Sequence, residues 1–296
     1  MDSQLLSKIG EVKIGIIGGT GLYSIEGITN VKEIEVKTPF GAPSDKIVIG
    51  ELEGVRCAFL PRHGRGHTIL PTEINSLANI YALKMLGVEQ IIAISACGSL
   101  KEEIRPRDVV LPDQFFDRTK FRRQSFFTDG IGIAAHVSFA QPVCMDMVKI
   151  IYQVLKSMSL RVHLGGTYVC IEGPQFSTKA ESQVNRILGF SVVGMTALPE
   201  ARLAREAEIC YATVAAVTDY DVWKEGEEVT IGMVVENLNA NIENMKKMIK
   251  EVLPKLASRE RNCECKDALK YAIFSKDWKK NKKAIDKLGI IVRRYL

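Results

Sequence analysis

The 296-residue sequence has no apolar run long enough to cross a membrane; stretches such as Val88 to Ala96 fall well short of the ~18 consecutive apolar residues a span needs. Its first stretch, MDSQLLSKIG, carries acidic Asp2 and lacks the charged-then-apolar layout of a secretory signal. Both absences set the expectation of a cytoplasmic protein with no membrane partner. No internal repeat or low-complexity linker interrupts the chain before about residue 258, so the simplest organisation is one domain, 1–257, followed by a C-terminal extension, 258–296. A general excess of positive charge is also missing. The formal charge is +5, yet the eight Lys and Arg from Lys276 to Arg294, set against Asp277 and Asp286, account for more than all of it. The slightly acidic remainder gives no ground for a nucleic-acid partner, and the basic tail reads first as a solvated helix face.

Paired metal-ligand spacing is lacking as well. Cys57, Cys97, Cys144, Cys170 and Cys210 mostly sit in apolar segments, where a buried free thiol is the ordinary outcome. Cys263-Glu264-Cys265 differs, but one C-x-C cannot close a four-ligand zinc site, and no histidine or second cysteine pair lies near it in sequence. No metal is expected; a strained local disulfide or a redox role stays open.

What is present is an alternation of short apolar runs with helix-period segments, the pattern of an α/β fold. Strands are predicted at Lys13–Gly18, Lys46–Ile49, Val55–Pro61, Gln90–Ala96, Asp108–Leu111, Thr167–Glu172, Ser191–Met195 and Ala212–Thr218. Ile74, Leu77, Ala78, Tyr81 and Met85 mark one helix, which Gly87 stops; Met147 to Met158 mark a second, and Val235 to Val252 a third, ended by Pro254. Strand after strand runs out into a polar or glycine-rich loop, and ligands of α/β sheets collect at such carboxyl ends.

The first of these loops is Gly18-Gly19-Thr20-Gly21, within KIGIIGGTGLYS. A dinucleotide site would require a helix after the glycines, but LYSIEGITNVKEIEVKTPFG has Gly27, Asn30 and a β-like Val31–Val36 run instead. What remains is a phosphate-sized loop with the Thr20 hydroxyl beside backbone donors. Arg62-His63-Gly64-Arg65-Gly66-His67 leaves an apolar strand between Pro61 and Pro71 and reads as an anion site. Ser95-Ala96-Cys97-Gly98-Ser99 reads as a tight turn, with or without a polar ligand group on it. Asp219 and Asp221 leave an apolar strand and are candidates for acid/base work, although Asp221 also suits a turn cap. Met195 precedes Pro199 and Glu200, which fit the first turn of a helix, and Ser177 or Thr178 after Phe176 fits an N-cap.

In this order and spacing, KIGIIGGTGL, TPFGAPSD, PRHGRGHTILP, SACGSL, IEGPQFST, GMT with PE, and ATVAAVTDYDVW resemble the S-methyl-5′-thioadenosine phosphorylases of the trimeric purine nucleoside phosphorylase superfamily, from about Lys13 to Leu253. The resemblance implies a single-domain nucleoside phosphorylase fold, a mixed central sheet or barrel flanked by helices, with a helical C-terminal extension. It implies phosphorolysis of methylthioadenosine without a cofactor, inorganic phosphate being the co-substrate. Thr20, Arg62, His63, Ser95, Ala96 and Thr196 would hold phosphate; Met195 would lie along the ribose; Phe176 and Ser177 would meet the base. Asp219 would be the catalytic acid at the purine, with Tyr220 and Asp221 beside it. Ile231 and Val234 would line the methylthio pocket, although the loop from Gly226 to Ile231 is slightly shortened and their register shifts with it. His136 matches a histidine that reaches in from a neighbouring subunit, which implies a homo-oligomer, a trimer or a dimer of trimers. The rival is a purine nucleoside phosphorylase of broader or 6-oxopurine specificity. After Cys265 the chain departs from the family's short tail. Cys144 and Cys210 match positions that are disulfide-bonded in some archaeal members, where Cys263 and Cys265 match a C-x-C and Arg205 replaces a further cysteine. The resemblance therefore implies a Cys144–Cys210 bond.

Overall fold

The computed structural model describes residues 10–19, 25–226 and 230–296. In chain order the elements are β1 (Ile14–Gly18), β2 (Thr29–Ile34), β3 (Ile47–Leu52), β4 (Val55–Pro61), α1 (Ser76–Met85), β5 (Gln90–Ser99), β6 (Val109–Leu111), β7 (Gln114–Asp117), α2 (Met145–Ser157), β8 (Val162–Leu164), β9 (Thr167–Cys170), α3 (Lys179–Ile187), β10 (Val192–Gly194), α4 (Ala197–Glu206), β11 (Cys210–Asp219), α5 (Ile231–Ala257) and α6 (Lys282–Leu288). The fold is α/β with a mixed sheet, as expected.

The sheet runs β2-β3-β4-β1-β5-β10-β9-β7 and branches at β5, which also pairs with β11; β6 and β8 continue that branch. β1, β4, β5 and β11 are mutually parallel where they pair, so their carboxyl ends emerge together. Alternation along these strands feeds two cores. Ile17, Ile91 and Ala93 face a layer shared with Leu77, Ile80 and Leu83 of α1 and with α4. Ile14, Ile16, Ile92 and Ile94 face the other, shared with α2 and α5. Parallel strands buried on both faces read as continuous apolar runs, which is why they were legible.

Three expectations are corrected. Ser95 to Ser99 is not a turn but the end of β5: its small residues pair with β11 on one side, while Gly98 and Ser99 pair antiparallel with β10 on the other. Pro254 does not end the third helix. α5 continues to Ala257 because Leu253 and Leu256 are both fully buried, and that packing outweighs the missing N–H of a proline near a helix end. The expected Cys144–Cys210 bond is absent, and all seven thiols are free. The fold brings Cys263 and Cys265 onto Cys144 and Cys210, so each sulfur has several neighbours and no unique mate; Cys210 Sγ, for one, lies 3.2 Å from Cys263 Sγ. The C-terminal extension packs onto the rest of the chain: Leu269, Leu288, Ile291 and Val292 are buried in the α1 layer.

Candidate active site

The carboxyl ends of β1, β4, β5, β10 and β11 open into one cavity of about 480 Å³. On one side of it stands Arg62, 2 % exposed, one residue beyond β4. Its Nε and Nη2 donate to the two carboxylate oxygens of Glu200, at 2.9 and 3.0 Å, and Nη1 donates to the Ile94 carbonyl at 2.8 Å. Burial works against the charge, but Glu200 more than reverses this, and Arg62 stays firmly protonated. One N–H on each terminal nitrogen is left over, a fork suited to oxygens of an anion. Tyr211 donates to Glu200 Oε1 at 2.8 Å, so the counter-carboxylate is itself held. Ser95 Oγ lies 3.0 Å from Thr196 Oγ1 and 3.0 Å from the Tyr168 hydroxyl, a cluster of small donors at the same wall. Ala96 and Gly19 complete it. Thr20 lies outside the described residues.

His63 is 7 % exposed, and its Nδ1 lies 2.9 Å from the Ile69 carbonyl, which fixes the tautomer with Nδ1–H as donor. Burial is the main cause that pushes its pKa down to about 4, with Arg62 and His67 adding to it. The ring is therefore neutral at pH 7 and offers Nε2 as an acceptor.

Across the cavity, β11 ends in a bulge. Val217 pairs with Cys97 and Asp219 with Gly98, leaving Thr218 as the extra residue. Asp219 Oδ2 accepts from Thr218 Oγ1 at 2.7 Å and Oδ1 accepts from the Asp221 backbone N–H at 2.8 Å. Burial raises its pKa above the ordinary carboxylate range; those two hydrogen bonds oppose the shift and the Asp221 charge adds to it. Asp221, at a φ of 52°, is also raised by burial. The nearby hydroxyls of Ser182 and Ser177 counter this, yet Asp221 Oδ2, Ser177 Oγ and Ser182 Oγ have formed no hydrogen bond. Gly98 is required here: a Cβ would lie 2.9 Å from Asp219 Oδ1 and 3.2 Å from the Asp221 nitrogen.

Of the predicted residues, Arg62, His63, Ser95, Ala96, Thr196, Met195, Phe176, Ser177, Asp219, Asp221 and Val234 all line this cavity. Phe176 stands at the mouth, 70 % exposed. Tyr220 is not brought in; alternation turns its ring away onto Trp223, 5.5 Å between centroids. His136 lies outside the cavity on the surface, its ring against Phe274. Ile231 opens α5, but its side chain lies outside the described ones. Residues that the sequence reading did not assign to the site include Leu238, Asn241, Ile242 and Met245, the cavity face of α5. Their 3.6 periodicity was visible, but not what it faced. Asn237 and Asn241 donate from Nδ2 to the carbonyls of Thr218 and Val217, both at 2.8 Å, and so pin the bulge. Arg122 was missed without any signal, since Arg122-Arg123 reads as surface charge. It straps the Glu172 carbonyl at 2.7 Å to the Leu198 carbonyl at 2.7 Å.

Residues 13–254 match the model of the phosphorylase superfamily. The chain is 49 % identical over 287 residues to the S-methyl-5′-thioadenosine phosphorylase of Geobacter sulfurreducens, covering 97 % of this chain and 100 % of that one. It resembles the crystal structure of a methylthioadenosine phosphorylase from an antarctic soil metagenomic library, with a TM-score of 0.90 at 44 % identity over 95 % of this chain and 99 % of that one. A point mutant of the Schistosoma mansoni adenosine/methylthioadenosine phosphorylase, solved in complex with methylthioadenosine, aligns with a TM-score of 0.79 at 35 % identity over 93 % and 98 %.

Proposed function

Since the chain belongs to the phosphorylase superfamily, we propose that it cleaves S-methyl-5′-thioadenosine with inorganic phosphate, giving adenine and 5-methylthioribose 1-phosphate. The observation that carries this reading is the opposition, across one cavity, of a buried carboxyl with raised pKa at Asp219 and a buried Arg62 with spare donors. The α5 wall of Val234, Leu238, Ile242 and Met245 adds an apolar lining that suits a methylthio group better than a 5′-hydroxyl.

In the proposed reaction, phosphate rests on Arg62, Ser95, Ala96, Thr196 and the β1 loop with Thr20, while neutral His63 accepts from its remaining P–OH. A phosphate oxygen bonds to the anomeric carbon as the carbon–N9 bond breaks, and that bond's electron pair goes to the purine. Asp219 passes its proton to N7, so adenine leaves neutral, and the carboxylate is reprotonated from water before the next turnover. Its other oxygen accepts from the 6-amino group, whereas a carboxamide would suit a 6-oxopurine. Met195 would lie on the ribose, and Phe176 and Ser177 would close over the base. No cofactor enters this scheme. We read the enzyme as cytoplasmic, as a phosphorylase unit of residues 1–257 with its extension docked on it, and as a trimer or dimer of trimers in which His136 serves a neighbour's site.

The test is to incubate the purified chain with methylthioadenosine, with and without phosphate, and separate the bases chromatographically. Adenine is expected only with phosphate. Its release at equal rates without phosphate would overturn phosphorolysis, and faster cleavage of inosine than of methylthioadenosine would overturn the choice of substrate.

A further inference from the structure

The sulfurs of Cys144, Cys210, Cys263 and Cys265 all lie within 4.8 Å of one another. They come from three distant segments. Cys144 caps α2 and donates its backbone N–H to the Tyr211 carbonyl at 2.8 Å, which sets it beside Cys210, the first residue of β11. Cys263 and Cys265 follow α5, on either side of Glu264, where the C-terminal extension folds back. Cys144, Cys210 and Cys265 are buried and Cys263 is half-buried. Four sulfurs around a zinc ion at ~2.3 Å stand about 3.8 Å apart, which this cluster reaches by small side-chain shifts.

We propose that these four cysteines form a closed tetrathiolate site for a thiophilic divalent cation, zinc foremost, that ties the C-terminal extension to the sheet. Charge distinguishes this from a pair of disulfides. Arg259 Nη2 lies 3.2 Å from Cys263 Sγ and 3.5 Å from Cys144 Sγ, and Arg261 Nε lies 3.4 Å from Cys210 Sγ. A dication with four thiolates carries a net charge of −2, which two guanidinium groups offset; neutral disulfides would give them nothing to offset. The Arg259 side chain is 7 % exposed, and its carboxylate partner, Asp146, stands half-exposed at 3.3 Å. Arg259 Nη1 donates to the Gln90 side-chain oxygen at 2.9 Å and lies 3.9 Å from Cys210 Sγ. Arg261 also donates to the Glu208 carbonyl. Four soft ligands select zinc-like ions over oxygen-seeking ones, and with all four positions taken by protein the ion would be structural. Asp219 lies at the other end of β11, about 30 Å away at the usual strand rise of ~3.3 Å per residue, so the chemistry of the cavity is untouched. Binding exchanges S–H protons for S–metal bonds, up to four protons leaving per ion.

The experiment uses the full chain, purified anaerobically with its metal removed by chelator under reductant, and titrated with Co²⁺. Saturation at one equivalent per chain, with a sulfur-to-cobalt charge-transfer band and the visible bands of tetrahedral cobalt, is the expected result. Zn²⁺ should bleach these bands and raise Tm by about 5 °C or more. The variant Cys263→Ser/Cys265→Ser should lose both responses while retaining turnover at low temperature. If that variant does not fold, the titration of the unaltered chain still decides. Absence of the charge-transfer band would overturn the proposal. So would a count of five or three free thiols, rather than seven, in the unfolded and unreduced protein.

Discussion

Asp219 and His63 are buried against the direction each would prefer in water, and that displacement is what suits them to their proposed tasks. Burial raises the pKa of Asp219 and lowers that of His63, so in each case it disfavours the charged form. Replacing Asp219 by Asn should cut kcat/KM for methylthioadenosine by about 10²–10⁴-fold, and for inosine by less, because an amide pairs better with a 6-oxo group. Equal losses on the two substrates would refute the assigned role. For His63 the sign is set by a folded-state pKa of about 4 against 6.5 for the free side chain. The unfolded chain binds the extra proton as pH falls from 6.5 to 4, so stability drops through that window. Buried Glu206, raised to about 7, works oppositely: its contribution is full below 4.5 and fades as pH rises towards 7. His63→Asn keeps a donor for Ile69 and cannot titrate. In urea melts it should remove ~2–3 kcal/mol of the wild-type loss between pH 7 and pH 4. An unchanged slope would show that His63 titrates alike in the folded and the unfolded chain. These residues were legible because each follows an apolar strand directly. Glu200 was not: in sequence it is only an acid in a first helical turn, and its partner Arg62 is 138 positions away.

At the scale of elements, the site depends on how closely β5, β10 and β11 approach one another. The sequence SACGS reads as a turn because small residues and glycine usually mean one, whereas here they admit two neighbouring strands at once. β6, β9 and β10 are as short as β7 and β8 but are legible as strands because they are buried apolar runs, whereas β7 and β8 are at best half-buried and give no such run. Gly98→Ala makes the crowding measurable. Its methyl would meet the Asp219 carboxylate and the Asp221 backbone, so the acid must shift against the hydrogen bond that it accepts from the Asp221 N–H. A fall in kcat of about 10²-fold is expected, since small misplacements at a reacting centre cost that much, while circular dichroism stays native. Full activity would mean that the β11 end is more yielding than its hydrogen bonds suggest.

For the molecule as a whole, the rings of Phe121, Tyr271 and Phe274 are exposed, the kind of apolar side chain that the proposed oligomer would cover. His136 lies beside Phe274 in that region. If it completes a neighbour's site, His136→Ala and Asp219→Asn chains, each impaired alone, should regain activity when unfolded together and reassembled. Some sites in such mixed oligomers would then hold both native residues. No recovery would place His136 outside the reaction. The sequence could point to this residue only by resemblance, because a histidine that acts on another chain leaves no local pattern in its own.

The bulge at Thr218 has a consequence for how this chain tolerates change in length. Because one strand residue is looped out beside Gly98, the facing of everything after Val217 depends on a count and not on a residue type. Ala216, Thr218 and Asp219 all line the cavity while Val217 packs in the core, so the bulge lets two successive side chains face inward, and a further residue before Asp219 would turn it to the core side. Between Val217 and Asp219, then, the loss of Thr218 leaves the acid facing in without its hydroxyl donor, while the gain of one residue removes the acid from the cavity in a single step.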